Sequence, residues 1–503
     1  MTQITQEYCE KLAAQLKASF QTRAFIDGKF VDAQSGKAMP TFNPATEEVL
    51  AHVASCGTAD VDRAVAVARQ TFESGVWSRM HPSERSKILF RFADIIEREL
   101  VPLAVLESLN SGKPVGDCMR ADLQDTLAAL RWHAGFSDKR YDRLSPSGSG
   151  AVGMIVHEPI GVVACIVPWN FPIMTTMWKM APALAEGNSV IVKPASSTPL
   201  SILRIAELAM EAGLPEGVLQ VIPGPGGVLG EALGLHPDVD CISFTGSTPV
   251  GRQLLEYSSR SNLKKIILEL GGKSPMVVLD DVKDLSGAVN NALVASYSNT
   301  GQNCTANSRI IVPAARKEEF VSLMLEELEK SWFMGAPLDL RSNLGSMISK
   351  SHFESVMRYI DNGKAAGVRV ATGGEARTID GKGFFIQPTL FVDPALDSPL
   401  VTEEIFGPVA CVIGAPDNET AITMANDTEY GLQASLFTDD LRKAHLYARR
   451  LRAGTVSVNK YCEGDFSTPF GGFKLSGFGG QDKAPQAHEQ YCETKTIFIN
   501  LED

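Results

Sequence analysis

The chain carries no excess of positive charge: 47 Lys and Arg stand against 59 Asp and Glu, a formal net charge of -12. No run of Lys or Arg offers a local basic face, which argues against nucleic acid as a partner. Nor is there an apolar run long enough for a bilayer. The longest, residues 160–168, reaches about half of the roughly 20 residues needed and reads as a buried strand, so no membrane association is expected. The start, Met1-Thr2-Gln3-Ile4-Thr5-Gln6-Glu7, lacks the basic beginning and apolar core of a secretory signal. Nine cysteines show no paired spacing, which fits a reducing compartment, the cytoplasm by default, and gives no zinc site. Also missing is the Gly-x-Gly-x-x-Gly turn that usually follows the first strand of a dinucleotide-binding unit.

What is present is an ordinary globular composition, 44% hydrophobic and 21% charged, in 503 residues. That length is too great for one core, so two large domains and an appendage are expected. Residues 1 to about 20 suggest a helix, and 25–53 suggest hairpins with turns at Asp27-Gly28 and Ser35-Gly36. Thr58 reads as the N-cap of a helix carrying Val61, Ala64, Val65, Ala68 and Phe72 at helical spacing. A second helix follows Pro82-Ser83, and helical pattern continues to about His133. After a Ser/Gly/Pro linker at 144–150 and a strand at 152–157, apolar strands at 162–167, 189–192, 219–222, 241–244 and 265–268 alternate with helical stretches. This is the pattern of parallel βαβ units in a doubly wound sheet. A second α/β unit runs from 271 to about 476, with strands near 276–279 and 309–312. The tail ends in an alternating strand at 494–499.

Within that frame, Asn299-Thr300-Gly301-Gln302-Asn303-Cys304-Thr305 joins an apolar helix (Leu285, Val289, Leu293, Val294) to the strand that follows Ser308. A thiol on a glycine-loosened turn between rigid elements is well placed to act as a nucleophile. A random cysteine is more often simply buried. The surrounding motifs decide against that: Pro168-Trp169-Asn170-Phe171-Pro172, Phe244-Thr245-Gly246-Ser247-Thr248, Leu268-Glu269-Leu270-Gly271-Gly272-Lys273, and Glu403-Glu404-Ile405-Phe406-Gly407-Pro408. In order and spacing the chain resembles the aldehyde dehydrogenase superfamily over nearly its whole length. The resemblance implies an α/β architecture. A Rossmann-like cofactor domain (1–140 and 161–270) would join a second α/β catalytic domain (271–476) and a small β oligomerisation arm (141–160 and 477–503). In the family the tail pairs with the 141–160 arm of a neighbouring subunit, so a homo-oligomer, dimer or tetramer, is expected. An uncovered edge strand independently favours assembly.

The resemblance also implies a cofactor, NAD or NADP. Gly246, Ser247 and Gly251 form a variant dinucleotide turn at the start of a helix, where backbone N–H groups favour a pyrophosphate. Lys193 is expected to bond the adenosine ribose. Many NAD-preferring relatives carry Glu where this chain has Ser196; without a carboxylate to repel a 2′-phosphate, NADP is admitted alongside NAD. Glu404 and Phe406 match positions around the nicotinamide ribose and ring, with Trp169 and Leu270 beside them.

For the chemistry, aldehyde oxidation needs a tetrahedral centre from which hydride can leave, and Cys304 supplies it as a thiohemiacetal. The Asn170 side chain and the Cys304 backbone N–H would hold the oxyanion. Glu269, between apolar residues at a strand end, matches the family's water-activating base for hydrolysing the thioester. Lys179 is a supporting residue near both. Phe171, Thr175, Trp178 and Phe470 match the aldehyde tunnel. Glu463 and Asp465, flanking Gly464, could hold the cationic end of an ω-amino aldehyde, a pattern resembling the branch that oxidises γ-glutamyl-γ-aminobutyraldehyde. The alternatives are a broad enzyme for aliphatic or aromatic aldehydes and, in another class, a binding or redox-sensing protein on the same fold. An acylating enzyme is disfavoured by Glu269.

Overall fold

The computed structural model describes residues 4–502. Its centre is a run of parallel strands whose side chains are buried on both faces, which is why they read as continuous apolar stretches. In chain order these are β1 (Val162–Ile166), β2 (Ser189–Lys193), β3 (Leu219–Val221), β4 (Cys241–Thr245) and β5 (Lys265–Glu269). Their spatial order is β3-β2-β1-β4-β5, so the chain starts in the middle, winds to one side, then crosses to the other. Ala24–Ile26 adds an antiparallel strand beside β3 through Phe25 and Val221, and Gly477–Phe478 closes the far edge against β5.

The second sheet contains β6 (Pro275–Val278), β7 (Arg309–Pro313), β8 (Thr389–Val392), β9 (Val409–Ala415), β10 (Gln433–Phe437) and β11 (Thr455–Val458). They lie in the order β8-β9-β7-β6-β10-β11, parallel throughout, with Arg369–Thr372 antiparallel at one edge. Four helices set the site. α1 (Pro172–Ala185) follows β1 and begins on a proline, whose fixed φ suits a first helical position. All its residues except Met174 are buried, as befits a helix enclosed on every side. α2 (Gly226–Leu235) follows β3, α3 (Thr248–Ser259) follows β4, and α4 (Ser286–Tyr297) leads toward Cys304.

Several expectations need correction. The helix at 58 is capped by Gly57, whose N–H donates to the Asp60 carboxylate at 2.9 Å; Thr58 is its first residue. The first helix spans Gln6–Lys17, and residues 1–3 of the expected stretch lie outside the described residues. Val289 and Leu293 of α4 and its N-cap Leu285 face the core, but Val294 is exposed. The largest difference concerns the tail. Cys492–Asn500 pairs antiparallel with Ala151–Pro159 of the same chain, from Cys492 opposite Pro159 to Asn500 opposite Ala151. The register is set where the strand begins: the buried Tyr491 carbonyl accepts from Ile160 N at 3.1 Å and from Asn188 Nδ2 at 3.0 Å. Residues 477–491 do not join this arm; they pack on the first sheet and on α1. Among the described residues no helix is long and apolar enough to cross a membrane.

Candidate active site

The loop at 168–172 leaves β1 at its carboxyl end, and Gly246-Ser247 leaves β4 beside it, where the strand order reverses. Open parallel sheets receive ligands in that crevice. Here it holds a cavity of ≈ 200 Å³ whose wall draws on both sheets, with Asn170, Glu269, Cys304, Glu404 and Phe470 in it. Residues more than a hundred positions apart in sequence, such as Asn170 and Cys304, thus meet in one wall.

Cys304 is half-buried, in the turn between α4 and β7. Burial, and then the charges of Glu463, Glu404 and Glu269, push its thiol well above the ordinary range. Those surroundings favour the thiol over the thiolate. That environment is unlike the exposed, low-pKa thiolate typical of a redox sensor. Glu269 closes β5, buried, and neither carboxylate oxygen has a hydrogen-bond partner among the described residues. Burial, reinforced by Asp482, raises its pKa well above the carboxylate range, and Lys179 acts in the opposite direction. Lys179 Nζ lies 2.9 Å from Asp482 Oδ2, both groups sealed from solvent. Lys179 stands behind the wall while Asp482 lines it. Asn170 Nδ2 donates to the Gln302 carbonyl at 3.0 Å, which ties the β1 loop to the cysteine turn.

On the cofactor side, Ser247 is the N-cap of α3 and its side chain leaves the helix N–H groups free. Gly251, on the first turn of α3, allows close packing: a Cβ there would stand 2.9 Å from Leu270 Cδ2. At Gly246 a Cβ would meet the Phe244 ring at 2.4 Å. Lys193 ends β2, buried, and desolvation alone lowers its pKa to about 8, with no anionic partner to offset it. An added Cβ at Gly226, where α2 starts, would find only Lys193 Nζ, at 3.7 Å. A buried ammonium facing an open glycine helix start fits the ribose and phosphates of a dinucleotide. Ser196 Oγ donates to the Gly224 carbonyl at 2.9 Å, a neutral hydroxyl at this position. Glu404 accepts from Gly272 N at 2.8 Å, and burial raises its pKa to about 7. Phe406 has a left-handed φ of 57, and its ring centroid is 5.3 Å from that of Trp169. His352 holds this strained residue by donating Nε2–H to its carbonyl at 2.7 Å; sequence reading missed it.

Phe171, Thr175, Trp178 and Phe470 line the cavity, and Glu463 joins them. Glu463 lies close to the chemistry, accepting from Thr305 Oγ1 at 2.6 Å, and not at an outer mouth. Asp465 does not join it. It is exposed and its Oδ1 accepts from the N–H and hydroxyl of Ser467, closing a local turn. Behind the wall, Asp125 accepts from the Trp178 indole N–H, and burial raises its pKa to about 6. An acid among the buried helical positions Leu123, Leu127, Leu130 and Ala134 was the available signal. A cation is already present: Lys483 Nζ lies 4.0 Å from the Trp178 ring centroid, 5.1 Å from Phe466 and 5.5 Å from Phe470.

Residues 30–497 match the model of the aldehyde dehydrogenase family. The chain belongs to the aldehyde dehydrogenase family. It is 49% identical over 478 residues to an aminoacetaldehyde dehydrogenase of Pseudomonas aeruginosa, covering 95% of each chain. Among solved structures it resembles an indole-3-acetaldehyde dehydrogenase of P. syringae in complex with NAD+, with TM-score 0.97 and 43% identity, covering 99% of this chain and 100% of that one. It also resembles a γ-glutamyl-γ-aminobutyraldehyde dehydrogenase of Burkholderia cenocepacia, with TM-score 0.96 and 44% identity, covering 99% and 100%. This aldehyde dehydrogenase is thus an NAD(P)-dependent oxidoreductase, with the Rossmann-like and catalytic α/β architecture expected of it.

Proposed function

We propose that Cys304, Asn170, Glu269 and Lys179 carry the oxidation of an ω-amino or γ-glutamylamino aldehyde to the free carboxylic acid. The carrying observation is Glu269: an unpartnered, buried carboxyl in the same wall as the thiol and the amide. As the thiol proton passes to Glu269, sulfur attacks the carbonyl carbon and the carbonyl electrons move to oxygen. Asn170 Nδ2–H and the Cys304 backbone N–H hold that oxyanion. The bound nicotinamide supplies the acceptor for the hydride that leaves when the C=O bond re-forms. A thioester remains on Cys304. Glu269 releases that proton to solvent, then takes one from water; the hydroxide adds to the thioester, the C–S bond breaks, and the leaving sulfur takes the proton back from Glu269. The Lys179–Asp482 pair keeps a compensated charge beside Glu269, favouring its ionised form through Lys179 and opposing it through Asp482. Trp169, Leu270, Glu404 and Phe406 would enclose the nicotinamide end; Lys193, Gly246, Ser247 and Gly251 would take the ribose and pyrophosphate. Ser196 leaves room for either NAD or NADP.

The substrate assignment is supported by Glu463 inside the cavity, by Asp125 behind Trp178, and by relatives named for amino aldehydes. A homo-oligomer is supported by the arm: its edge strand exposes Phe498 at 66% and Ile499 at 43%, an uncovered apolar edge. The nine unpaired cysteines support a reducing, cytoplasmic setting. The test is reduced-cofactor absorbance with an aldehyde panel, run with NAD and NADP in parallel and repeated with Cys304→Ala. Cofactor reduction that requires Cys304, with kcat/KM for 4-aminobutanal above that for octanal, is the expected result. Equal or better use of octanal would replace the amino-aldehyde reading with the broad-specificity one.

A further inference from the structure

The turn before the nucleophile contains two consecutive non-glycine residues in the left-handed region, Asn299 (φ 52, ψ 31) and Thr300 (φ 56, ψ 36). Such a conformation is uncommon for any residue with a side chain and an outlier for a β-branched one. It persists only where its surroundings over-determine it. Both residues are buried, and both side chains are engaged. Thr300 Oγ1 donates to the Gly345 carbonyl at 3.2 Å and accepts from Gly345 N at 3.1 Å. Asn299 Nδ2 donates to two carbonyls, that of Asn170 at 3.0 Å and that of Gln302 at 3.1 Å. With carbonyl oxygens on both sides, only the NH2 end of the amide can occupy this place.

The Gln302 carbonyl is thereby shared: it accepts from Asn299 Nδ2 and, at 3.0 Å, from Asn170 Nδ2. Asn299 therefore grips the oxyanion donor twice. It fixes the main chain of Asn170 directly, and it fixes the carbonyl on which the Asn170 amide rests. An Asn amide has two N–H bonds. With one held on Gln302, the direction of the other is set before substrate arrives, the preorganisation that makes an oxyanion donor effective.

We propose that Asn299 is a positioning residue for the oxyanion site: its buried side chain aims the Asn170 amide, and the strained turn exists to deliver it there. The proposal rests on the reading of Asn170 as the oxyanion donor. The test is a double-mutant cycle in the full-length enzyme, using Asn299→Gly, Asn170→Ala and the double variant. Glycine tolerates the left-handed backbone, so Asn299→Gly removes the grip while sparing the turn.

The expected result is a loss of at least about tenfold in kcat for Asn299→Gly, shrinking to less than about threefold when Asn170 is already alanine. Alkylation of Cys304 by iodoacetamide forms no oxyanion, so its rate should change by less than about twofold. Equal losses in both backgrounds, an alkylation rate that falls in parallel with kcat, or no loss at all would each overturn the proposal. Wild-type turnover in Asn170→Ala alone would instead refute the reading beneath it. If Asn299→Gly does not fold, Asn299→Asp takes its place: it tolerates the same backbone but has no proton for either carbonyl at neutral pH.

Discussion

Replacing Asn170 with alanine should separate catalysis from stability, and the hydrogen bonds around it show why. Its Nδ2 has one protein partner, the Gln302 carbonyl. Truncation does not orphan that carbonyl, because Asn299 Nδ2 continues to donate to it at 3.1 Å. The carbonyl of residue 170 likewise keeps its bond from Asn299, being backbone. The stability cost is then that of one net hydrogen bond, about 1 kcal/mol. In a chain of this size that lowers the melting temperature by no more than about 2–4 °C. The catalytic cost is larger. Losing one of two oxyanion donors removes about 3 kcal/mol that exists only once charge has moved to oxygen, a fall of about a hundredfold or more in kcat. Since the ground-state aldehyde gains little from that donor, KM should move much less than kcat. The assay is reduced-cofactor absorbance at saturating aldehyde and cofactor, paired with thermal unfolding of the same preparation. Turnover within about fivefold of wild type, or a change confined to KM, would refute the role. A collapse in melting temperature would refute the bonding argument.

Three further outcomes follow from the site. Glu269 must be ionised to act, and its pKa is raised, so kcat should climb as pH rises through a value above the carboxylate range. Glu269→Gln removes the group that takes both the Cys304 proton and the water proton, so the burst of reduced cofactor and the steady-state turnover should both be nearly abolished; normal turnover would assign the base elsewhere. Ser196→Glu places a carboxylate by the ribose space and should shift the NAD/NADP ratio of kcat/KM toward NAD by at least about tenfold, and an unmoved ratio would contradict the assignment. Phe498→Asp should reduce the oligomer seen by light scattering, since a charge on an apolar contact strand opposes pairing; an unchanged mass would place the interface elsewhere.

The parallel strands were legible because burial on both faces leaves the same mark in any context, an unbroken apolar run such as residues 162–166. Cys304, Asn170, Glu269 and Glu404 were legible because each lies in a local motif, and the fold brings those motifs to one crevice. What escaped were groups defined by distant partners. His352 acts on Phe406 from 54 positions away, and Asp482 meets Lys179 from 303 away. Glu463 and Asp465 looked equivalent in sequence, yet the chain turns between them at Gly464 (φ 72), and one faces Thr305 while the other bonds Ser467. The tail illustrates a different limit. Alternating residues announce a strand, but pairing within one chain and pairing across two chains need the same pattern.

The separation of Lys179 from Asp482 has a consequence in time. A ribosome adds about 5–20 residues per second, so the lysine waits about 15–60 s for the carboxylate 303 positions later. During that interval α1 can form beside β1, but one of its fully buried side chains would be an ammonium without a counter-charge. The same late segment supplies the closing strand of the first sheet, Gly477–Phe478. A nascent chain that already displays Cys304 and Glu269 is thus still missing the pieces that finish their surroundings. Translation order keeps Cys304 from its finished surroundings until residues 477–482 have been made.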